Sequence, residues 1–508
     1  MTLSNTPSPS EPCTTTQRIL IWCVIALVVA HLTLAAGLYL TEDEAYYRLW
    51  SLAPSLSYLD HPPMVAWLIA LGRAIAGDTA LGVRLLAPFL LALGVLVVWR
   101  TATLLYNRNV AICASWFFLA MPLLGVGGVI MTPDVPSVAF YTLLMLALAE
   151  LKRTDNPNIW LVIGALAGGG LLSKYTNLFA GVTILIWILA VPENRRWLWS
   201  PQLWIGGAIA LAISTPVLIW NWQHDWASFA KQFGRVGTGS EMGFVHPIEM
   251  WGGYFALASP LIALLSLIGL ADACARAFRQ RNSADVLLVA AIAPLLIYFT
   301  AHTLHARVQA NWMAPLYPEF AICAALGLSR ISQRFRSATA WTAISLGLVS
   351  TAAIYVHAVV PLVSLRKDPT GQMRGWPEFT TSLRHLVSGN TAQWISTSSY
   401  ATTAQLAFAF RGAIPVAQLN ERIRHAHLPR LSDKTYRSPT LYVELERRVD
   451  ERLIESCFAD TRRLATITRD DGTLQGARYA VYLAKSPSPL CDGDPLPPHT
   501  DLPDAPPQ

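Results

Sequence analysis

The residues best suited to chemistry crowd into one short stretch, Thr41-Glu42-Asp43-Glu44-Ala45-Tyr46-Tyr47-Arg48-Leu49-Trp50. Three adjacent acids follow directly on an apolar run. That places them at a membrane surface, where a carboxylate can serve chemistry or simply be solvated. On a helix, Asp43, Tyr46, Tyr47 and Trp50 share one face, which sets a carboxylate above an aromatic wall. The chain continues Tyr58-Leu59-Asp60-His61-Pro62-Pro63, and the proline pair predicts a turn before an amphipathic helix from Met64 to Ala76. The same residues also fit a plain interfacial helix with solvated acids and an aromatic belt.

Further polar residues recur beside apolar segments. Asp134 lies in Met131-Thr132-Pro133-Asp134-Val135-Pro136, a short turn between two apolar runs. A charge near membrane depth costs about 2.5–3.5 kcal/mol even on the lenient scale, so it faces a wet cavity or a partner, unless it caps a helix. Lys174, in Leu172-Ser173-Lys174-Tyr175, either binds phosphate or snorkels to the interface. Two later loops place aromatic rings beside polar groups: Trp220 to Arg235, and His302 to Gln309 with Arg307, followed by Asn311-Trp312. Such pairs suit sugar faces and lipid headgroups. No GxxxxGK[ST] loop and no GxGxxG turn is present, so no nucleotide-phosphate motif appears. The carboxylates could hold a divalent metal, but nothing has a diagnostic ligand spacing, and no cofactor is assigned.

The elements that must position these residues are membrane helices. The 508 residues are 53% hydrophobic and 14% charged, against about 25% charged in soluble domains. Runs of about 20 apolar residues predict eleven spans: 18–40, 83–105, 110–130, 135–151, 159–173, 176–191, 202–221, 248–270, 284–302, 311–328 and 339–363. Alternate loops carry the basic residues: Arg18, Arg100 and Arg108, Lys152 and Arg153, Arg195 and Arg196, Arg276 to Arg281, and Arg330 to Arg336. Positive loops stay in the cytoplasm, so the N-terminus is predicted inside, with loop 41–82 and everything beyond 363 outside. The net charge of +6 calls for no nucleic-acid partner. Residues 364–485 turn polar, with period-two alternation at 440–444 and 478–483, a helical stretch near 444–457, and the look of a small α+β domain. Residues 1–17 and the Pro- and Asp-rich 486–508 read as disordered. The seven cysteines form no CxxC pair; Cys457 and Cys491 share the C-terminal region, where an oxidising compartment would permit a disulfide.

The first loop resembles a known family. Asp43-Glu44-Ala45-Tyr46-Tyr47-x-Leu49-Trp50, then Tyr58-x-Asp60-His61-Pro62-Pro63 and Gly82-Val83-Arg84-Leu85, is similar to glycosyltransferase family 39 of the GT-C superfamily. That group holds protein O-mannosyltransferases and the lipid A aminoarabinose transferase. Asp134, Lys174 and Asn311-Trp312 also look like its bacterial members, and the resemblance covers roughly residues 15–330. It implies a polytopic inner-membrane GT-C enzyme of about eleven helices with a periplasmic α+β domain. The donor it implies is a polyprenyl-phosphate-linked sugar, transferred with inversion to lipid A, a glycan or a protein at the periplasmic face. By position, Asp43, Glu44 and Asp134 are then catalytic, and Tyr46, Tyr58, Asp60, His61, Lys174, Arg235, Arg307 and Asn311 bind substrate. His61 stands where some relatives have lysine, and it offsets phosphate charge fully only when protonated.

Two other readings compete. A transporter or flippase of a lipid-linked solute should show helices broken at mid-depth and a pseudo-repeat, and the sequence shows neither. A non-catalytic scaffold with an outer partner-binding domain leaves the acids of the first loop without a purpose.

Overall fold

The computed structural model describes residues 15–234, 243–365 and 367–487. The expected disordered ends fall almost entirely outside these residues, although Thr15–Gln17 already belong to a helix. The molecule is a bundle of apolar helices with a small α/β layer resting on one end.

From the N-terminus the helices are α1 (Thr15–Gly37), α2 (Glu42–Leu52), α3 (Met64–Ala76), α4 (Ala80–Arg84), α5 (Ala87–Leu105), α6 (Arg108–Ala120), α7 (Pro122–Gly127), α8 (Asp134–Thr154) and α9 (Ile159–Ser173). There follow α10 (Phe179–Ala190), α11 (Pro201–Gln223), α12 (Ala227–Phe233), α13 (Val245–Ala258), α14 (Pro260–Gln280), α15 (Ser283–His302), α16 (Tyr317–Arg330) and α17 (Gln333–Val359). Among the described residues, seven helices are long and apolar enough to cross a bilayer, or eight if the pair 175–190 and 192–199, bent by 116°, counts as one span. These lengths do not confirm the expected eleven. The segments 110–130 and 159–173 form helices too short to cross alone, while 311–328 starts as a 3₁₀ turn over Ala310–Leu316. The expected span 248–270 is two helices, because Ser259 adopts φ +68° and Pro260 restarts the chain in a new direction. Close crossings tie the bundle together: a Cβ on Gly269 would stand 1.8 Å from the Cys323 carbonyl oxygen, so α14 and α16 touch backbone to backbone.

The chain is a multi-pass membrane protein, and its basic loops gather at one end. There Arg100 on α5 bonds Glu150 on α8 at 2.7 Å, and Arg276 and Arg330 both pair with Asp272.

Past α17 come α18 (Trp376–Gly389), β1 (Trp394–Thr397), α19 (Tyr400–Phe410), β2 (Val416–Gln418), β3 (Thr440–Leu445), β4 (Phe458–Arg469) and β5 (Ala477–Pro487). The sheet runs in the order β2-β1-β3-β5-β4, parallel among the first three and antiparallel beyond. The alternating stretches at 440–444 and 478–483 become β3 and β5, paired to each other, and the helix expected near 444–457 is confined to Glu451–Cys457. Cys491 lies outside the described residues.

The opposite end of the bundle is organised by α2. Thr41 and Glu44 form a capping box, in which the Thr41 hydroxyl accepts from the Glu44 amide at 3.3 Å and Glu44 accepts from the Thr41 amide at 3.0 Å. Arg84 donates two bonds to Glu44, at 2.7 and 2.6 Å, and two more to the carbonyls of Leu38 and Tyr39. Both side chains of the pair are fully shut off from solvent. Removing one partner of such a pair leaves the other charged and buried, at a cost of about 3–5 kcal/mol. Glu44→Ala should therefore lower the thermal unfolding midpoint sharply in detergent, and an unchanged midpoint would show that the pair does not hold the loop.

Candidate active site

Helix geometry sends neighbouring acids in different directions. Glu44 turns inward to Arg84, so Asp43, about 100° round the helix, turns outward. Its Oδ1 accepts a long hydrogen bond of 3.4 Å from the Tyr400 hydroxyl of α19. Asp43 is exposed at the surface, yet protein crowds round its carboxylate. That enclosure raises its pKa to about 6, helped by the negative charges of Glu42 and Asp60.

Asp60 is closed by its partners. It accepts from the Tyr46 hydroxyl at 2.9 Å and Arg424 at 2.7 Å, and it pairs with Lys231 at 2.8 Å. Burial alone would raise its pKa, but Arg424 and Lys231 overcome this and hold it well below the usual carboxylate range. His61, beside it, is pushed down to about 4 by burial and by the charge of Lys174. It is neutral near pH 7 and supplies no cation.

A second cluster joins three separate segments. Lys174, after α9, bonds Asp134 at 2.6 Å, and the Asn311 amide donates to the other Asp134 oxygen at 3.2 Å. Asp134 is the first residue of α8, yet its carboxylate caps no backbone amide and reaches these side chains instead. Beneath it opens a cavity of about 220 Å³, lined mainly by apolar side chains of α5 to α8, with Thr132, Asp134 and Asn311 as its polar edge. Tyr47 links the two clusters. Burial chiefly, then the charges of Asp43, Asp60 and Asp134, keep its hydroxyl protonated.

Several expected site residues lie elsewhere. Glu44 is sealed within the ion pair and cannot meet a substrate. Tyr58 is stacked on Trp50 at 4.3 Å, with its hydroxyl bonded to the Trp50 carbonyl, and Tyr46 is spent on Asp60. Tyr46, Tyr47 and Trp50 are all buried in one apolar cluster, so the aromatic face expected above Asp43 is packed inward. Arg307 is exposed and paired with Glu249 at 3.0 Å. Arg235 lies outside the described residues. The structure adds Tyr400 and Arg424, which no local pattern marked, and Lys231, which sits inside the flagged 220–235 loop. Among the described residues, no group of three or more His, Cys, Asp or Glu is placed to hold a metal ion.

An apolar helical bundle with an acid-rich first loop at one face is the fold of the GT-C glycosyltransferases. Residues 60–220 match the dolichyl-phosphate-mannose-protein mannosyltransferase family. ArnT from Cupriavidus metallidurans superposes with a TM-score of 0.60 in its apo state and 0.62 bound to undecaprenyl phosphate, at 14% and 13% identity, over 92% of this chain and 98% of ArnT. The lipid A galacturonosyltransferase RgtD of Rhizobium johnstonii is 27% identical over 54% of this chain and 58% of its own length. The undecaprenyl phosphate-alpha-4-amino-4-deoxy-L-arabinose arabinosyl transferase 2 of Pseudomonas fluorescens is 27% identical over 32% of this chain and 29% of its own. The chain thus spans less than two thirds of either curated relative.

A raised carboxylate pKa has a consequence for stability. The folded state holds its proton where the unfolded chain has lost it, so stability falls as pH rises from 3.8 to about 6 and then levels. Asp43→Asn should gain in unfolding midpoint over the wild type across that window and keep the gain above it. A difference independent of pH would show that Asp43 is freely solvated.

Proposed function

We propose that this protein is a glycosyltransferase that takes its sugar from a polyprenyl phosphate and transfers it, with inversion, to an acceptor of the lipid A class. One observation carries this reading: the Asp134–Lys174–Asn311 cluster edges an apolar cavity, and Tyr47 lies within the field of both Asp134 and Asp43. That arrangement offers an isoprenoid chain an oily berth while its phosphosugar stays among charged groups. These residues lie at the end of the bundle away from the basic loops, which supports a periplasmic site, a cytoplasmic N-terminus and a periplasmic C-terminal domain. The sequence similarity to enzymes named for lipid A and undecaprenyl-phosphate sugars supports both donor and acceptor class.

In the reaction an acceptor oxygen attacks the anomeric carbon, and the bond from that carbon to the phosphate oxygen breaks. The electron pair leaves with the polyprenyl phosphate, where the Lys174 ammonium offsets its charge. A hydroxyl acceptor gives its proton to Asp43. A phosphate acceptor needs no base, and Asp43 then steadies positive charge on the sugar ring. Asp134 holds Lys174 in place, and neutral His61 is left to give or take one hydrogen bond.

Purified protein in proteoliposomes, given lipid A and undecaprenyl phosphate carrying either galacturonate or 4-amino-4-deoxy-L-arabinose, should yield a mass increment on lipid A. Both roles of Asp43 need the carboxylate, so turnover should climb through about pH 6. Asp43→Asn should lower it by about 100-fold or more. Undiminished turnover in that variant would remove Asp43 from the mechanism. A deletion strain with an unaltered lipid A spectrum would count against the acceptor class.

A further inference from the structure

The C-terminal sheet has a topological switch point. From β1 the chain passes through α19 to β2 on one side, while β3 lies on the other. In open α/β sheets the crevice at such a point, beyond the strands' carboxyl ends, receives a ligand, often an anion at a helix N-terminus. Here the chain fills the crevice with its own anion. Glu444, at the end of β3 and fully buried, accepts from the amides of Ser399 at 2.9 Å and Ser398 at 3.3 Å. It also accepts from the hydroxyls of Ser399 at 3.0 Å and Thr402 at 2.5 Å, and from the Leu445 amide at 2.9 Å. The start of α19 is thereby fastened to β3.

What that fastening holds is Tyr400, the first residue of α19. Its ring lies 4.8 Å from that of Tyr46, with the Arg424 guanidinium 5.1 Å from its centre. Arg424 in turn bonds Asp60 of the first loop and Glu421 of its own. Further along α19, the Gln405 amide donates to the Leu40 carbonyl at 2.9 Å, and Ala404 and Phe408 enter the apolar cluster of α2. With ring and helix both fixed, the phenol reaches Asp43 Oδ1 at 3.4 Å.

We propose that Tyr400 is a positioning residue for Asp43, held there by the Glu444 plug and the Arg424 brace, so that the C-terminal domain forms one wall of the catalytic chamber. This rests on the reading of Asp43 given above. The phenol orients the carboxylate and favours its ionised form against the groups that oppose it: Glu42 and Glu44 on α2, and Asp60 on the following loop.

Tyr400→Phe keeps both ring contacts and removes only the hydroxyl. It should lower kcat roughly tenfold, as loss of a hydrogen bond to a charged group does, with little change in KM for the donor. The acid limb of kcat/KM should move upward by about half a pH unit or more, because the carboxylate loses a donor. Glu444→Ala should act in the same direction and raise amide hydrogen exchange at 399–403 and also at 42–47. Wild-type kcat and an unmoved acid limb in Tyr400→Phe, with Asp43→Asn inactive, would overturn this proposal alone. Full activity in Asp43→Asn would overturn the Asp43 reading and this one with it. If neither donor turns over, the exchange measurement decides: unchanged protection at 42–47 in Glu444→Ala refutes the coupling.

Discussion

A guanidinium and a carboxylate, both sealed from water, anchor the first loop to the bundle. Arg84 leaves the helix that starts the second span and spends its donors on Glu44 and on the carbonyls that end α1. Glu44 also accepts from the Met131 amide, just before α8, at 3.0 Å. Three chain segments thus meet on one ion pair. Because desolvating two charges is expensive, such a pair adds little net stability over an apolar substitute, but it tolerates only one geometry. That geometry fixes the rotation of α2, and the rotation decides which of three adjacent acids faces outward.

The rest of the site is assembled on that fixed helix. Asp43 faces outward because Glu44 faces inward. Tyr46 and Trp50, one and two turns on, become the floor on which α19 packs. Asp60 then acts as a clasp, with Lys231 from α12 on one oxygen and Arg424 from the C-terminal domain on the other. Two cations are thus consumed in closing Asp60, while Lys174 pairs with Asp134 at the edge of the apolar cavity. That tether aims its ammonium before any ligand arrives.

The division of labour among the carboxylates follows from their surroundings. Asp60 lies between two cations and stays ionised at any physiological pH. Asp43 has like charges and enclosure around it, and one phenol in its favour. Such opposed shifts in neighbouring acids are what the proposed role of Asp43 requires.

Membrane insertion, the acid-rich first loop and the strands at 440–444 and 478–483 were all legible in the sequence, because each is a local pattern of hydropathy or alternation. Asp43, Asp134, Lys174 and Asn311 could be singled out for the same reason, as polar residues at the ends of apolar runs. The roles of Glu44 and Asp60 could not, since a side chain's partner 40 or 364 residues away leaves no local trace. Nor could the entry of Tyr400 and Arg424, which depends on how α19 docks onto α2. The break at Ser259-Pro260 was not legible either, because hydropathy records burial in oil and not the direction of the backbone. Sequence alone settled which solvent each segment meets; tertiary packing chose which of the polar groups would be spent on one another and which would be left to act.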